Sequence, residues 1–282
     1  MLRIRLMTAE DLPLGMRLKN QAGWNQTLVD WQRFLAMQPE GCLVAELDGV
    51  AVGTTVVTAF ESVAWVSMVL VVQSVRGRGI GKALMNQALE IAAELGCTSI
   101  RLDATPLGRP LYESLGFVSQ YELTRYAGIA RSISAVSISP LVRIAEPEDI
   151  GTILAVDHSA TGTRRDKFLL RLFAEQLDAV RVAAIDSQIH GFLTVRFGSD
   201  AIQLGPCVAE TSAAGQSLLT DALSRYAGSR VYWDLPSSHS AAVALAQSAG
   251  LARQRQLTRM CRGENVNDDA AKLWASSGPE LG

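Results

Sequence analysis

The chain runs to 282 residues, of which 48% are apolar and 19% charged. That length has room for two domains of ordinary size, and the composition is too hydrophobic for a disordered polymer. A formal charge of −2 argues against a nucleic-acid partner, because neutralising phosphates takes a clustered basic surface.

Residues 4–7 read as a strand leading into an acidic helix start at Glu10 and Asp11, where carboxylates favour the positive end of the helix dipole. Helices are expected over 9–20 and 28–37. Residues 41–47 and 50–60 form a hairpin across Asp48-Gly49, a strong tight-turn dipeptide. A buried strand over 64–72 precedes a helix over 79–95. The apolar residues of that helix recur at Ala83, Leu84, Ala88, Ile91, Ala92 and Leu95, and Gly96 caps it. A strand over 97–104, a short helix over 110–115 and a last strand after Gly116-Phe117 follow. A hairpin and then strand–helix–strand imply a mixed α/β sheet.

The longest apolar run, Val63 to Val72, is broken by Ser67 and falls short of the ~20 residues that span a bilayer. Charges come too early for a signal peptide. Cys42, Cys97, Cys207 and Cys261 are far apart and lack metal-ligand spacing, so no metal is expected. A cytoplasmic protein with reduced thiols and no membrane partner is the expectation; the oligomeric state stays open.

The chain echoes itself. Ile4 to Leu12 aligns with Val142 to Ile150, both apolar/basic strands entering acidic helix starts. Ala83 to Leu89 aligns with Ser217 to Leu223, and Leu111 to Phe117 with Leu245 to Leu251, at one shared offset. The same offset brings Leu123-Thr124-Arg125 opposite Leu257-Thr258-Arg259. Matches in one order and register indicate a duplicated domain. The expected division is a first domain over 1–128, a Ser/Ala-rich connector over 129–140 and a second domain over 141–282. A short helix is expected over 268–275 in the polar tail.

The sharpest chemical feature is Val71-Val72-Gln73-Ser74-Val75-Arg76-Gly77-Arg78-Gly79-Ile80-Gly81-Lys82. A buried strand ends, a basic glycine-rich turn follows and a long amphipathic helix begins. Free N–H groups at the helix start and close approach over glycine make an anion cradle, most naturally for a pyrophosphate. Arg76, Arg78 and Lys82 add charge for further phosphate oxygens. The alternating glycines do not match the dinucleotide fingerprint, and Gly81-Lys82 lacks the following hydroxyl of a Walker loop.

This string resembles the R/Q-x-x-G-x-G/A motif of the GNAT acetyltransferase superfamily, and Leu111-Tyr112-Glu113-Ser114-Leu115-Gly116-Phe117 is similar to its L-Y-E-x-x-G-F signature. The resemblance covers 1–127 well and the second half weakly. It implies two tandem GNAT-like domains and direct transfer of an acetyl group from acetyl-CoA, in a ternary complex, to an amine of a small molecule or amino-acid-like metabolite. Cofactor contacts would come from Val69, Leu70 and Val71, from Arg76, Gly77, Arg78, Gly79, Ile80, Gly81 and Lys82, and from Thr105, which stands where the family often has Asn. Tyr112 would protonate the departing thiolate. Candidate bases are Glu61, Asp103, Glu122 or a water chain, and acceptor-pocket candidates are Trp24, Asn25, Trp65, Met68 and Asp103. A non-catalytic acyl-CoA sensor and a protein lysine or N-terminal acetyltransferase are the competing expectations.

In the second half Glu210, Ala213 and Gly215 fall opposite Arg76, Gly79 and Gly81, and Ala246 falls opposite Tyr112. Acid at the loop entry repels phosphate, and alanine has no proton to give. The expectation is a catalytically silent domain that closes over the acceptor site, with Arg164, Arg165, Trp233, Asp234 or His239 near substrate, or that only stabilises its neighbour.

Overall fold

The computed structural model describes residues 1–133 and 141–282. Most of the expected connector, 134–140, lies outside the described residues. The first half comprises β1 (Leu2–Leu6), α1 (Leu12–Gln21), α2 (Leu28–Met37), β2 (Cys42–Leu47), β3 (Val50–Phe60), β4 (Val63–Val71), α3 (Ile80–Glu94), β5 (Ser99–Ala104), α4 (Arg109–Ser114) and β6 (Val118–Ile129). The second repeats that order: β7 (Leu141–Ile144), α5 (Ile150–Thr161), α6 (Asp166–Gln176), β8 (Arg181–Ile185), β9 (Gln188–Phe197), β10 (Ile202–Ala209), α7 (Ser212–Arg225), β11 (Arg230–Pro236), α8 (Ser240–Ser248) and β12 (Ala252–Gly263). It then adds β13 (Leu273–Ala275).

All these strands join one mixed sheet in the order β1-β2-β3-β4-β5-β12-β6-β11-β10-β9-β8-β7, with β13 on β10. The order is a palindrome about the β12–β6 pair. Each half's last strand therefore crosses into the other half: β12 lies against β5, and β6 against β11. The two strands carry equivalent arginines, and each arginine pairs with an aspartate of the opposite half. Arg259 forks onto Asp103 and Arg125 onto Asp234, with buried side chains throughout. Arg259 and Arg101 also share Asp268. Buried charges survive only when their hydrogen bonds are met, so these forks tie the seam to a single register.

Three cores support the sheet. One packs α3 on the first half, and another packs α7 and α8 on the second. The third joins α1 and α2 to α5 and α6 across the halves, through Trp31, Phe34, Phe168, Phe173 and Leu281. Outside the sheet, Arg33 of α2 pairs with Glu175 of α6 at 2.5 Å.

The tail departs from its sequence reading. Residues 268–275 form no helix: turns lead into β13, where Leu273, Trp274 and Ala275 are buried. Their apolar side chains fill a gap in the sheet, and that burial outweighs the local helical preference of Ala-Ala-Lys-Leu.

Candidate active site

The opening starts in β4. It pairs with β5 in parallel only at 63–65 against 99–101. Beyond Trp65 the two strands part. The β3–β4 ladder slips between Thr54 and Val56, and Met68 takes a φ of +52°. The Thr54 hydroxyl donates to the Met68 carbonyl at 2.9 Å and that of Thr55 to the Ser67 carbonyl at 3.2 Å. These threonines satisfy carbonyls that the bulge takes out of the ladder. A bulge of this kind bends its strand and redirects neighbouring groups. The edge of β4 from 66 to 71 thus faces a cleft of about 740 Å³.

One end of the cleft is the glycine loop. Gly77 and Gly79 have φ of +76° and +79°, a region that side chains with a Cβ avoid. Gly79 is the N-cap of α3, and no side chain caps that helix. Its first N–H groups are consequently available to an anion. Arg76 and Lys82 line the cleft, and the Arg76 Nε also donates to the Val71 carbonyl at 3.0 Å. Of the seven loop residues from Arg76 to Lys82, Arg78 alone does not line it.

Tyr112 stands on the same wall, its ring edge-on to Phe117 at 6.0 Å. Its hydroxyl makes no hydrogen bond among the described residues. Burial pushes the phenol up to about 12. A Cβ at Gly108 would sit 2.9 Å from the Tyr112 ring, so the absence of a side chain there sets the ring's position. Thr105 lines the cleft while its hydroxyl accepts from the Gly108 N–H at 3.2 Å.

The structure brings Val69, Leu70, Val71, Gly77, Ile80, Gly81, Trp24, Met68 and Asp103 to the same cavity. It does not bring Asn25 or Trp65 there. Asn25 is a buried clamp between the halves: its side chain donates to the Ala201 carbonyl at 2.9 Å and accepts from the Asp200 and Ala201 N–H groups. Trp65 lies under the guanidinium of Arg259, 4.8 Å from its ring centroid, and donates from Nε1 to the Pro279 carbonyl at 3.1 Å.

Among the candidate bases, Glu61 sits in the exposed β3–β4 turn, and Glu122 accepts from Thr258 at 3.0 Å; neither lines the cleft. Asp103 does, but both its oxygens are taken by Arg259 at 2.8 and 2.9 Å. Burial lifts the Asp103 carboxyl and the Arg259 guanidinium opposes that lift.

Sequence reasoning missed what the second half contributes. Arg164, Arg165, Trp233, Asp234 and His239 do not line the cleft; Arg255 and Leu257 of β12 and Pro279 and Glu280 of the tail do. Arg165 instead binds Asp157 and reaches Ser277 at 2.9 Å and the Leu281 carbonyl at 3.0 Å, holding the tail in place. Glu280 is 4% exposed; its Oε1 accepts from Arg196 at 2.7 Å and its Oε2 has no partner among the described residues. The repeat Leu123-Thr124-Arg125/Leu257-Thr258-Arg259 pointed to equivalent strands, but nothing local signalled their exchange. Among the described residues, no cluster of three or more His, Cys, Asp or Glu is placed to hold a metal, and no helix is long and apolar enough to cross a membrane.

Two family models match the chain: the acetyltransferase (GNAT) family over residues 11–117 and the acetyltransferase (GNAT) domain over 153–275. The chain is similar to the holothin acyltransferase of Pseudoalteromonas sp. (strain SANK 73390), with 26% identity over 92% of this chain and 87% of that one. It is also similar to the uncharacterized N-acetyltransferase YitH of Bacillus subtilis (strain 168), with 26% identity over 80% of this chain and 79% of that one. A solved protein from Pyrococcus horikoshii shares the fold across 100% of this chain and 96% of its own, with a TM-score of 0.84 at 23% identity.

Proposed function

The chain belongs to the acetyltransferase (GNAT) family in both halves, and on that premise we propose that its first half transfers an acetyl group from acetyl-CoA to the amine of a small molecule. The observation that carries this is the uncapped start of α3 behind Gly77 and Gly79, opening into the cleft that Tyr112 also lines. These residues suit acetyl-CoA: a pyrophosphate meets free N–H groups, glycines leave room for it, and Arg76 and Lys82 supply counter-charge.

Acetyl-CoA supplies the activated acyl group and a thiolate leaving group. The unpaired edge of β4 offers main-chain hydrogen bonds to an extended chain, and an N–H there polarises the carbonyl that is attacked. Tyr112, with its pKa pushed up to about 12, keeps its proton at any working pH. Complete transfer to a thiolate near ~8.5 is uphill in free energy. The hydroxyl therefore works first by donating a hydrogen bond to charge growing on sulfur, and burial of that sulfur narrows the gap. An amine near ~10.4 is almost wholly protonated at pH 7 and must shed a proton before it attacks. Glu280 lines the cleft with an oxygen that has no partner among the described residues but is itself buried, and it takes that proton through water. The tail and β12 wall off one end, which favours a small acceptor over a protein segment.

The test is thiol release from acetyl-CoA in the presence of small amines. Tyr112→Phe should lower kcat roughly a hundredfold and leave acetyl-CoA binding unchanged. Binding without release for any amine would favour the acyl-CoA sensor; no binding would sink both.

A further inference from the structure

Among the arginines of the central sheet, the half-buried Arg255 is the anomaly. Arg101, Arg125, Arg165 and Arg259 each fork onto a buried aspartate, and Arg196 bridges Asp30 and Glu280. Arg255 makes no ion pair or hydrogen bond among the described residues, and its Nε is buried without a partner. In the sheet it stands opposite Arg125, whose like charge repels it. Burial first, and then Arg125, push its guanidinium down to about 10, which leaves it charged at neutral pH. A half-buried cation with no bonded counter-ion, its charge answered only at a distance by Asp234 and Glu280, is suited to receive an anion.

The position of Arg255 says whose anion that is. Cofactor phosphates belong at the α3 end, with Arg76 and Lys82. Arg255 lines the cleft with Pro279 and Glu280, and the Pro279 carbonyl is bonded to Trp65, where β4 and β5 begin to part. That wall belongs to β12 and the tail, not to β4 or the start of α3. Glu280 adds negative charge there without bonding Arg255. A guanidinium and a carboxylate that line one wall without bonding each other offer two poles to a dipolar guest.

Resting on the acetyltransferase reading, we propose that the acceptor is an amine that also carries a carboxylate, an amino-acid-like zwitterion. Arg255 holds the carboxylate, and Glu280 draws the ammonium and takes its proton. Arg255 is then the specificity determinant, and the second half supplies it.

The experiment compares matched amines by thiol release: phenylalanine with phenethylamine, leucine with isoamylamine, and a phosphorylated amine as a third arm. The carboxylated member should show a kcat/KM roughly tenfold or more above its decarboxylated partner. Arg255→Gln should erase that preference by raising KM for the carboxylated amine alone, and Arg255→Lys should keep part of it. Unchanged acetyl-CoA binding by Arg255→Gln establishes that the variant is folded. Equal rates on both members, an equal loss on both in Arg255→Gln, preference for the phosphorylated amine, or no turnover of any carboxylated amine by protein that binds acetyl-CoA would each overturn the inference. A wild type that fails to bind acetyl-CoA takes the acetyltransferase reading down with it.

Discussion

The two halves open their sheets in the same place and then diverge. In the first, β4 leaves β5 after three paired residues; in the second, β10 leaves β11 after the pairing of 202–204 with 231–233. The first gap is a cleft. The second is filled by β13, which pairs with β10 at Cys207 and Val208. Trp274 occupies the space in front of α7, so close to Gly215 that a Cβ there would lie 2.1 Å from its ring. Its carbonyl accepts from Trp233 Nε1 at 2.8 Å, and His239 sits edge-on at 4.4 Å. The helix starts differ as well. Gly79 leaves α3 uncapped, whereas the Thr211 side chain caps α7 by accepting from the Ala214 N–H at 3.2 Å. One duplicated scaffold thus carries a ligand-ready slot and a slot closed by its own chain. The residues that close it lead into the wall of the first half's cleft, which gives the second half a structural reason to be retained.

Emptying the closed slot gives the largest expected effect. Trp274→Ala should cost about 3–5 kcal/mol of stability, the usual penalty for deleting a buried tryptophan, measurable by denaturant unfolding. It should not create a second acetyl-CoA site, because Glu210 still stands at the loop entry and Thr211 still caps the start of α7. A gain of binding would show that β13 masks a competent slot and would break the comparison.

A smaller effect tests the seam between the halves. Burial lifts the Asp268 carboxyl, but Arg259, Arg101 and Tyr121 more than offset this and hold it well below the usual carboxylate range. A carboxylate whose folded pKa is depressed stabilises fully above its unfolded pKa near ~4 and loses that contribution as pH falls through the folded value. Asp268→Asn should therefore cost about 3 kcal/mol near neutral pH, with the difference from wild type shrinking below about pH 4. A gap that stays constant into acid would contradict a charge-based seam.

What the sequence disclosed follows from what is local. The Asp48-Gly49 turn, with φ of +51° and +81°, joins the hairpin as expected, and helix 28–37 ends where its pattern does. The loop and Tyr112 were legible because each is a short string whose chemistry depends on neighbours in the chain. The exchange of β6 and β12 was not, since either strand satisfies its hydrogen bonds equally well beside either half. The helix expected over 268–275 failed for a related reason: the need for Trp274 arises in a gap built by β10 and β11. Asn25 and Trp65 were expected at the acceptor, yet both are used to bind the second half. Arg255 and Glu280 carried no motif, and they stand out only once the partners of every neighbouring arginine are known.

Calorimetry with acetyl-CoA tests the central claim most directly, by counting sites. The account predicts one acetyl-CoA per chain, with binding weakened roughly a thousandfold in Gly79→Glu, where a Cβ meets a left-handed backbone and a new negative charge faces phosphate. Two sites per chain, or a single site that survives Gly79→Glu, would contradict it.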